Sequence, residues 1–377
     1  MAREHKNLGA IGTGSVFKRF ADGIREVEQD KVRVEFTAVA DVKTAEEVGQ
    51  LIKDNYRYYQ IPRQWAENPD PENLPIQMRE FLEQVDAVYI ASTNNTHRGY
   101  ILSALNQGKD VICTKPLTES LGTARYLRDA LGKKGISSGR GEPGKIKFMY
   151  EDHYLYQSIS IELFDKLIPE ANPFDDNELG KVQSVSGFFL EKRGASRIEP
   201  ARAGWLFNPE ISGGGVWIDI GIHLVTILHK LGARFEIVSA HPRIDSGFEA
   251  EMQMTVHARI APDAVAQQPV IWNRTPLYLA VEKEAEQTRK ELIFYFERGS
   301  VSLNFNRGEI HRIIGGQQPD VLSKKPVNAF KNVAKIFSRL ITGQGDRRLV
   351  SLSDAVKDME VIEEVYRQAG LKGEGES

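Results

Sequence analysis

The sequence has a single cysteine, Cys113, among its 377 residues. One cysteine cannot close an intramolecular disulfide or build a cysteine-rich zinc site, and we expect no bound metal. The chain also lacks an excess of basic residues, because 49 lysines and arginines stand against 52 aspartates and glutamates, for a formal net charge of -3. A nucleic-acid backbone needs a cationic surface, so nucleic acid is not an expected partner.

Long apolar runs are also missing from the sequence. We find no stretch of the roughly 20 apolar residues that span a bilayer, which argues against a membrane partner. The first residues pass from charged side chains into a short strand-like run, without the apolar segment of a secretory signal. We therefore expect a cytoplasmic protein. The 41% hydrophobic and 27% charged residues are near globular averages, and the length predicts two domains.

The first third of the chain alternates short apolar runs with helical stretches, which is typical of a parallel sheet with crossover helices. The runs AVYIA and VICT show no polar alternation, as expected of strands covered on both faces. A segment rich in glycine, lysine and serine, residues 132–147, marks a loop near the end of this unit. We predict an α/β Rossmann dinucleotide-binding domain over residues 1–150.

Longer strand patterns follow one another from residue 181 onward. Consecutive strands without helices between them predict an antiparallel or mixed sheet, and hence an α+β domain over residues 151–377 that binds substrate. An apolar helix is predicted over residues 216–231. The charged stretch 282–291 is expected to face solvent on a strand edge. The apolar strands FYFERG and VSLNF predict a homodimer or homotetramer formed through this sheet.

A glycine turn follows the first predicted strand and opens a helix. Gly12 permits the tight turn, and Gly14 lacks a Cβ, so a pyrophosphate can approach the backbone N–H groups at the start of the helix. The bulky Phe17 holds the third position, where glycine or alanine usually allows close helix–strand packing. The pattern predicts a dinucleotide site, and the residues assigned to the cofactor are Gly12, Thr13, Gly14, Ser15 and Val16.

Asp41 ends the second predicted strand, at the distance where an acidic residue meets the ribose of the adenosine half. Its carboxylate can accept hydrogen bonds from both ribose hydroxyls and would repel a 2′-phosphate, which favours NAD over NADP. Lys43 lies two residues further on and could bind that phosphate. NADP therefore stays open as the alternative.

Three further blocks carry a family resemblance. Residues 90–97 read IASTNNTH, residues 108–116 read GKDVICTKP, and residues 212–223 read SGGGVWIDIGIH. With the glycine turn and Asp41, they are in the order of the Gfo/Idh/MocA oxidoreductases, and the chain resembles that family. The resemblance implies a two-domain fold and hydride transfer between NAD(P) and a carbinol or carbonyl, usually on a sugar, inositol or related polyol.

The resemblance also implies site residues. Lys115 matches the lysine of the family's E-K-P motif, and Asp219 and His223 match its D-x-G-x-H pair, so these three are the expected catalytic residues. Ser92, Asn94 and Lys115 are assigned to the cofactor. Thr114 stands where the family has glutamate, which puts the usual contacts beside the nicotinamide in doubt.

The chemistry assigns different roles to these residues. Oxidising a secondary alcohol removes the hydroxyl proton as hydride leaves the same carbon, so a base must lie beside the nicotinamide. The ordinary pKa of histidine, about 6.5, suits His223 to this role, whereas Lys115 is better suited to stabilising the developing alkoxide. Asp219 and His223, four residues apart, would share a helix face with Thr226. A structural Asp–His pair explains the same spacing.

Four further residues are candidate substrate contacts. Residues 152–155 are similar to a stretch of glucose-6-phosphate dehydrogenases, and place His153 and Tyr154 where they could bind substrate hydroxyls or only join the domains. Arg202 and Trp205 could cover a sugar face, with packing as the alternative for the tryptophan. His97 is interpreted as a hydrogen-bonded loop histidine.

Two other functions remain compatible with these residues. A minority of the family keeps NAD tightly bound and uses transient oxidation to cleave glycosides. A non-catalytic nucleotide-binding sensor with the same fold is the other; Lys115 and His223 argue against it, while the departures at Phe17 and Thr114 leave it open.

Overall fold

The computed structural model describes residues 4–27, 32–51, 56–136, 146–164, 178–192, 204–245, 248–262, 274–327, 329–341 and 349–372. The chain divides into two compact units. The first comprises Met1–His153 and Phe330–Val356, and the second comprises Tyr154–Ala329 and Lys357–Ser377. The stretch 330–356 was expected in the second domain but belongs to the first unit, where Val350 bridges Tyr150 and the backbone of Phe330 packs directly against Gly23.

The first unit is a six-stranded parallel sheet with the strand order β3-β2-β1-β4-β5-β6. The order reverses between β1 and β4, and ligands of such sheets bind at the carboxyl ends of the strands beside that reversal. The strands are β1 (Glu4–Ile11), β2 (Val32–Asp41), β3 (Arg57–Gln60), β4 (Ala87–Ile90), β5 (Asp110–Thr114) and β6 (Phe148–Glu151). The helices are Ser15–Glu26, Ala45–Leu51, Arg63–Glu67, Ile76–Glu83, His97–Asn106, Leu121–Lys133 and Ala329–Ile341.

The second unit contains an eight-stranded mixed sheet with the order β14-β13-β12-β11-β7-β10-β9-β8. Its neighbours are antiparallel except β7 and β10, which are parallel. The strands are β7 (Val182–Lys192), β8 (Ala233–Arg243), β9 (Gln253–Pro262), β10 (Thr275–Ala285), β11 (Arg289–Phe296), β12 (Gly299–Asn304), β13 (Glu309–Ile314) and β14 (Asp320–Lys324). The helices are Ser158–Glu162, Pro209–Ser212, Ile222–Lys230 and Leu352–Gln368, the last of which begins in the first unit.

The helix Ile222–Lys230 lies on one face of this mixed sheet. Seven consecutive residues from Ile222 to Leu228 are buried, so the helix is a core element on all sides. Gly187 on β7 makes the close approach possible, because a Cβ there would lie 2.7 Å from Leu279 and 3.1 Å from Leu224. The helix is therefore fixed against β7 and β10, the strands that also carry charged residues at this face.

One described helical stretch, Pro209–Lys230, is long and apolar enough to cross a membrane, with 22 residues and a mean hydropathy of 1.5. The expectation that no stretch qualifies is therefore wrong on length and composition. The stretch is, however, 89% buried within the protein. Burial of this kind is the normal environment of a core helix, so the stretch is weak evidence for a membrane span.

Candidate functional site

The glycine turn of the first unit has the backbone geometry of a nucleotide cradle. Gly12 adopts a φ of +85°, and a Cβ on it would lie 2.6 Å from the carbonyl oxygen of Ala91. Gly14 is exposed, and a Cβ on it would meet no atom within 4 Å. The helix Ser15–Glu26 begins here without a side-chain cap and without an acidic residue in its first turn. Its first N–H groups therefore point toward open space that suits an anion.

The unusual Phe17 is accommodated by aromatic packing. Its side chain is buried, and its ring meets Phe36 on β2 edge-on at 5.1 Å between centroids. The aromatic pair takes the place of the small residue that usually allows close packing at this position. The departure is therefore absorbed beneath the turn and leaves the cradle open.

Asp41 is bound to the glycine turn. Its Oδ2 accepts hydrogen bonds from Thr13 N at 2.8 Å and from Thr13 Oγ1 at 2.6 Å, and its Oδ1 accepts one from Lys43 N at 3.1 Å. An ionised carboxylate offers about four acceptor positions, so this arrangement leaves capacity on Oδ1 for a further donor. Asp41 thus joins the end of β2 to the turn after β1.

A cavity of about 730 Å³ opens beside the carboxyl ends of β2 and β3. Tyr58, Arg63 and Glu47 are among its lining residues. Burial, together with the Asp41 carboxylate, raises the pKa of Tyr58 to about 12, so its hydroxyl stays protonated and donates to the backbone carbonyl oxygen of Lys43. The lining carries two acidic side chains, Glu47 and Glu80, and one basic side chain, Arg63, so this end of the site has a slight excess of negative charge.

Lys115 follows β5 directly and is partly buried. Its N–H donates to the carbonyl oxygen of Glu151 on the neighbouring strand at 3.0 Å. His97 is fully buried, with its ring nitrogens 3.0 Å from Pro116 O and 3.2 Å from Ser92 O, and burial lowers its pKa. His97 therefore fixes the loops that carry Lys115 and Ser92 and has the structural role predicted for it.

Glu151 is a buried carboxyl close to Lys115. It lies opposite Thr114 in the register of β5 and β6, and its Oε2 accepts a hydrogen bond from the Tyr89 hydroxyl at 3.5 Å. Burial, followed by the neighbouring Asp152 charge, raises its pKa from 4.5 to about 8, against a smaller opposing effect of Lys115. Thr114 stands where the family has glutamate, and the strand next to it carries a carboxyl group, that of Glu151. With a pKa of about 8, this carboxyl is protonated at neutral pH.

Asp219 in the second unit lies on a single π-helical turn, Trp217–Gly221, that leads into the helix Ile222–Lys230. Turns of this kind are frequent at functional sites. Its Oδ2 accepts a hydrogen bond from Lys283 Nζ on β10 at 2.7 Å, and the Lys283 side chain is only 7% exposed. Among the described contacts, Asp219 is paired with Lys283 of the mixed sheet.

His223 is 1% exposed and lies in an aromatic setting. The centroid of its ring is 4.5 Å from that of Tyr154 and 6.0 Å from that of Phe189. Tyr154 in turn accepts a hydrogen bond on its hydroxyl from Lys290 Nζ at 2.8 Å. Lys290 also donates to Glu191 Oε1 at 2.9 Å, so an ion pair stands directly behind the tyrosine.

A buried network holds the glycine-rich turn before Asp219. Glu251 accepts hydrogen bonds from Gly215 N at 3.0 Å and Trp217 N at 2.8 Å, and the Tyr366 hydroxyl donates to it at 2.9 Å. A Cβ on Gly215 would lie 2.2 Å from the Glu251 carbonyl oxygen. Burial raises the pKa of Glu251. Gly215 is thus required because the loop that carries Glu251 approaches too closely to leave room for a side chain.

Other predicted site residues have structural partners. Thr226 donates to Asp358 at 2.6 Å, which makes it part of the core rather than of a polar stripe with Asp219. The His153 ring stacks on Phe330 at 5.0 Å. Trp205 packs against the cluster that includes Phe207 and Met252. Arg202 lies outside the described residues.

Sequence reasoning missed the lysines and carboxylates of the second unit. Lys283 and Lys290 lie in the charged stretch expected to face solvent, and that expectation is wrong for both, since their side chains are 7% and 16% exposed. Strand periodicity was the available signal. Alternate residues share a face of a strand. Each charged residue continues the alternation of buried apolar residues on its own strand: Leu277, Leu279 and Val281 for Lys283 on β10, Leu292 and Phe294 for Lys290 on β11, and Val185 and Phe189 for Glu191 on β7.

Family models match both parts of the chain. Residues 6–138 match the oxidoreductase family with an NAD-binding Rossmann fold, and residues 174–302 match the GFO/IDH/MocA C-terminal domain. A solved structure of levoglucosan dehydrogenase, in complex with NADH and L-sorbose, superposes with a TM-score of 0.72 over 97% of both chains at 16% identity. That likeness confirms the two-part fold predicted from the sequence.

Curated relatives match shorter segments. An oxidoreductase of Formosa agariphila is 27% identical over 221 residues, which are 59% of this chain and 60% of that protein. The 1,5-anhydro-D-fructose reductase of Ensifer adhaerens is 30% identical over 139 residues, 37% of this chain and 35% of that protein. The matches therefore span between about a third and three fifths of these relatives' own length.

Proposed function

Because the chain belongs to the GFO/IDH/MocA oxidoreductase family, we propose that it transfers a hydride between NAD(P) and a secondary alcohol or carbonyl of a sugar, inositol or related polyol. The observation that carries the proposal is the setting of His223. Its imidazole is buried against the Tyr154 ring in the second unit, and Asp219 lies one helical turn before it. Its relatives, which include a levoglucosan dehydrogenase and a scyllo-inositol 2-dehydrogenase, support the substrate class.

The first unit fits a dinucleotide. Gly14 leaves room at the start of the helix Ser15–Glu26, where a pyrophosphate would accept hydrogen bonds from backbone N–H groups. The remaining capacity on Asp41 Oδ1 suits a ribose hydroxyl, and Ser92, Asn94 and Lys115 follow strands that end at the same edge of the sheet. The nicotinamide, when bound, supplies or accepts the hydride. NAD is the preferred form, with NADP as the alternative because Arg63 lines the adjoining cavity.

His223 and Lys115 have complementary roles in this proposal. His223 accepts the hydroxyl proton of an alcohol substrate, or returns it to a carbonyl in the reverse direction. Lys115, in the first unit, is assigned the stabilisation of the negative charge that develops on an alkoxide. Asp219 is held by Lys283 at 2.7 Å and maintains a negative charge on the turn that precedes His223. A cytoplasmic location and a homodimer or homotetramer remain predictions from the sequence.

A substrate panel tests the proposal. Sugars, inositols and sugar phosphates are each supplied with NAD and with NADP, and the absorbance of the reduced cofactor is followed. We expect one of these classes to reduce NAD and His223→Ala to lower kcat about 10²–10⁴-fold, the usual contribution of a general base. His257→Ala is the matched control, because His257 is an exposed residue of β9 whose ring packs beside Tyr278. Unchanged turnover in His223→Ala refutes the base, and a protein that binds no nicotinamide nucleotide refutes the whole proposal.

A further inference from the structure

The second unit places a lysine–carboxylate pair behind the tyrosine that packs on His223. Lys290 Nζ lies 2.8 Å from the Tyr154 hydroxyl and 2.9 Å from Glu191 Oε1. Glu191 and Lys290 come from neighbouring strands, β7 and β11, and their side chains are only 20% and 16% exposed. A charge pair of this burial loses hydration, which only good geometry and further hydrogen bonds, such as the one to Tyr154, can offset.

The direction of the hydrogen bonds is fixed by chemistry. A lysine ammonium has donors only, so the Tyr154 oxygen accepts from Lys290 and its own O–H must be donated in another direction. Accepting a bond from a cation polarises the phenol and makes that O–H a stronger donor. Burial disfavours the charged ammonium of Lys290, but its two oxygen partners, Tyr154 and Glu191, outweigh burial and raise the pKa of this lysine.

Three aromatic contacts fix the ring that carries this hydroxyl. Tyr154 packs against Phe189 at 4.7 Å, Phe305 at 5.7 Å and His223 at 4.5 Å between ring centroids. The ring cannot move without disturbing the imidazole beside it. The polarised hydroxyl and the proposed base are therefore held as one rigid group, with Lys290 at its far end.

We propose that the Tyr154 hydroxyl binds a hydroxyl or carbonyl oxygen of the polyol beside His223, and that Lys290, paired with Glu191, is the positioning residue for it. This inference rests on the proposed function for the identity of the substrate class. It adds that recognition of the substrate depends on an ion pair that the substrate does not touch. An uncharged oxygen of a sugar or inositol is the group that such a donor recognises.

Four variants test the inference in the full-length protein: Tyr154→Phe, Lys290→Met, Lys290→Arg and the Tyr154→Phe/Lys290→Met double variant. We expect each of the first two to lower kcat/KM for the polyol about tenfold, the effect of one hydrogen bond, with the affinity for NADH unchanged. The double variant should lose no more than either single one, and Lys290→Arg should recover most of the loss. Lys324→Met removes an exposed lysine of β14 that pairs with Glu309 on β13 at 2.8 Å, and is the control for loss of a lysine–glutamate pair elsewhere in the sheet.

A second measurement is independent of turnover. The 13Cζ signal of Tyr154, assigned by its loss in Tyr154→Phe, reports the hydrogen bonds of the phenol oxygen. It should shift in Lys290→Met, return toward its position in Lys290→Arg, and move when myo-inositol or D-glucose is added to the NADH-loaded protein. Multiplicative losses in the double variant, or a Tyr154 signal that neither Lys290→Met nor any of these polyols moves, overturn the inference. Polyol binding seen at Tyr154 without reduction of NAD in any assay would instead contradict the proposed function alone.

Discussion

The first unit builds its candidate site mainly from backbone, whereas the second unit builds its site from side chains that meet across long stretches of sequence. Gly12 and Gly14 act through the absence of a Cβ, and Asp41 is tied to Thr13 a few residues beyond the first strand. In the second unit, Lys290 reaches Tyr154 over 136 residues of sequence. A backbone site is encoded locally and depends on shape, while a side-chain site depends on the register of distant strands.

Removing the centre of the side-chain network should have the largest effect. Glu251→Ala leaves the buried N–H group of Trp217 without its acceptor and leaves the Gly215 N–H with only the Tyr366 hydroxyl, and we expect a loss of about 4 kcal/mol in the free energy of unfolding. Chemical denaturation measures it. Glu251→Gln keeps the shape and one acceptor oxygen and should lose less than half as much. Equal losses in the two variants would show that volume, and not hydrogen bonding, holds the turn.

The two glycines of the backbone site should respond differently to the same added methyl group. Gly12→Ala forces a Cβ to 2.6 Å from the Ala91 carbonyl oxygen at a φ of +85°, and should cost about 3 kcal/mol of stability. Gly14→Ala meets no atom and should leave stability within about 0.5 kcal/mol, yet weaken NADH binding because the methyl occupies the cradle. Thermal unfolding and NADH fluorescence titration separate these effects. Gly14→Ala with unchanged NADH affinity would show that the pyrophosphate does not approach this residue.

Glu151 sharpens the comparison, because it is a side chain buried within the backbone site. Its pKa in the folded protein, about 8, lies above the ordinary value of 4.5. The folded state therefore holds a proton that the unfolded chain loses, and stability should fall as the pH rises between these two values. Glu151→Gln should match the wild type near pH 5 and exceed it by roughly 2 kcal/mol near pH 8.

Glu297→Gln, at a side chain that is 45% exposed, is the control for this pH effect. Denaturation at several pH values in that variant should follow the wild type throughout. A Glu151→Gln protein with the same pH dependence as the wild type would show that Glu151 is ionised in the folded state.

The sequence predicted the fold around the backbone site well because its signals are local. A strand, a glycine turn and a helix follow one another within 26 residues, and the parallel sheet of a Rossmann domain is confirmed. The helix Ala329–Ile341 was not predicted to return to the first unit, since nothing in its own pattern identifies the sheet on which it packs. Phe17 weakened the glycine pattern because a small residue is usual at its position, and its packing partner, Phe36 on β2, could not be read from the turn itself.

The side-chain site could be predicted only in part. The D-x-G-x-H spacing located Asp219 and His223, but not the partner of the aspartate, because helical spacing gives neighbours along the helix and not across the sheet. Lys283 was assigned to solvent from the charge of its segment. The alternation of Leu277, Leu279 and Val281 places Lys283 on the buried face of β10. A count of charges does not detect this period of two.

Transfer of a deuterium label tests most directly whether these two unlike sites serve one hydride transfer. A polyol from the substrate panel, deuterated at its carbinol carbons, is incubated with NAD, and the nicotinamide product is recovered and examined by NMR. We expect deuterium at C4 of the nicotinamide in released NADH with the wild-type protein, and much slower labelling with His223→Ala and, at limiting NAD, with Gly14→Ala. Bound NAD that never acquires deuterium from any polyol, sugar or inositol would contradict this expectation.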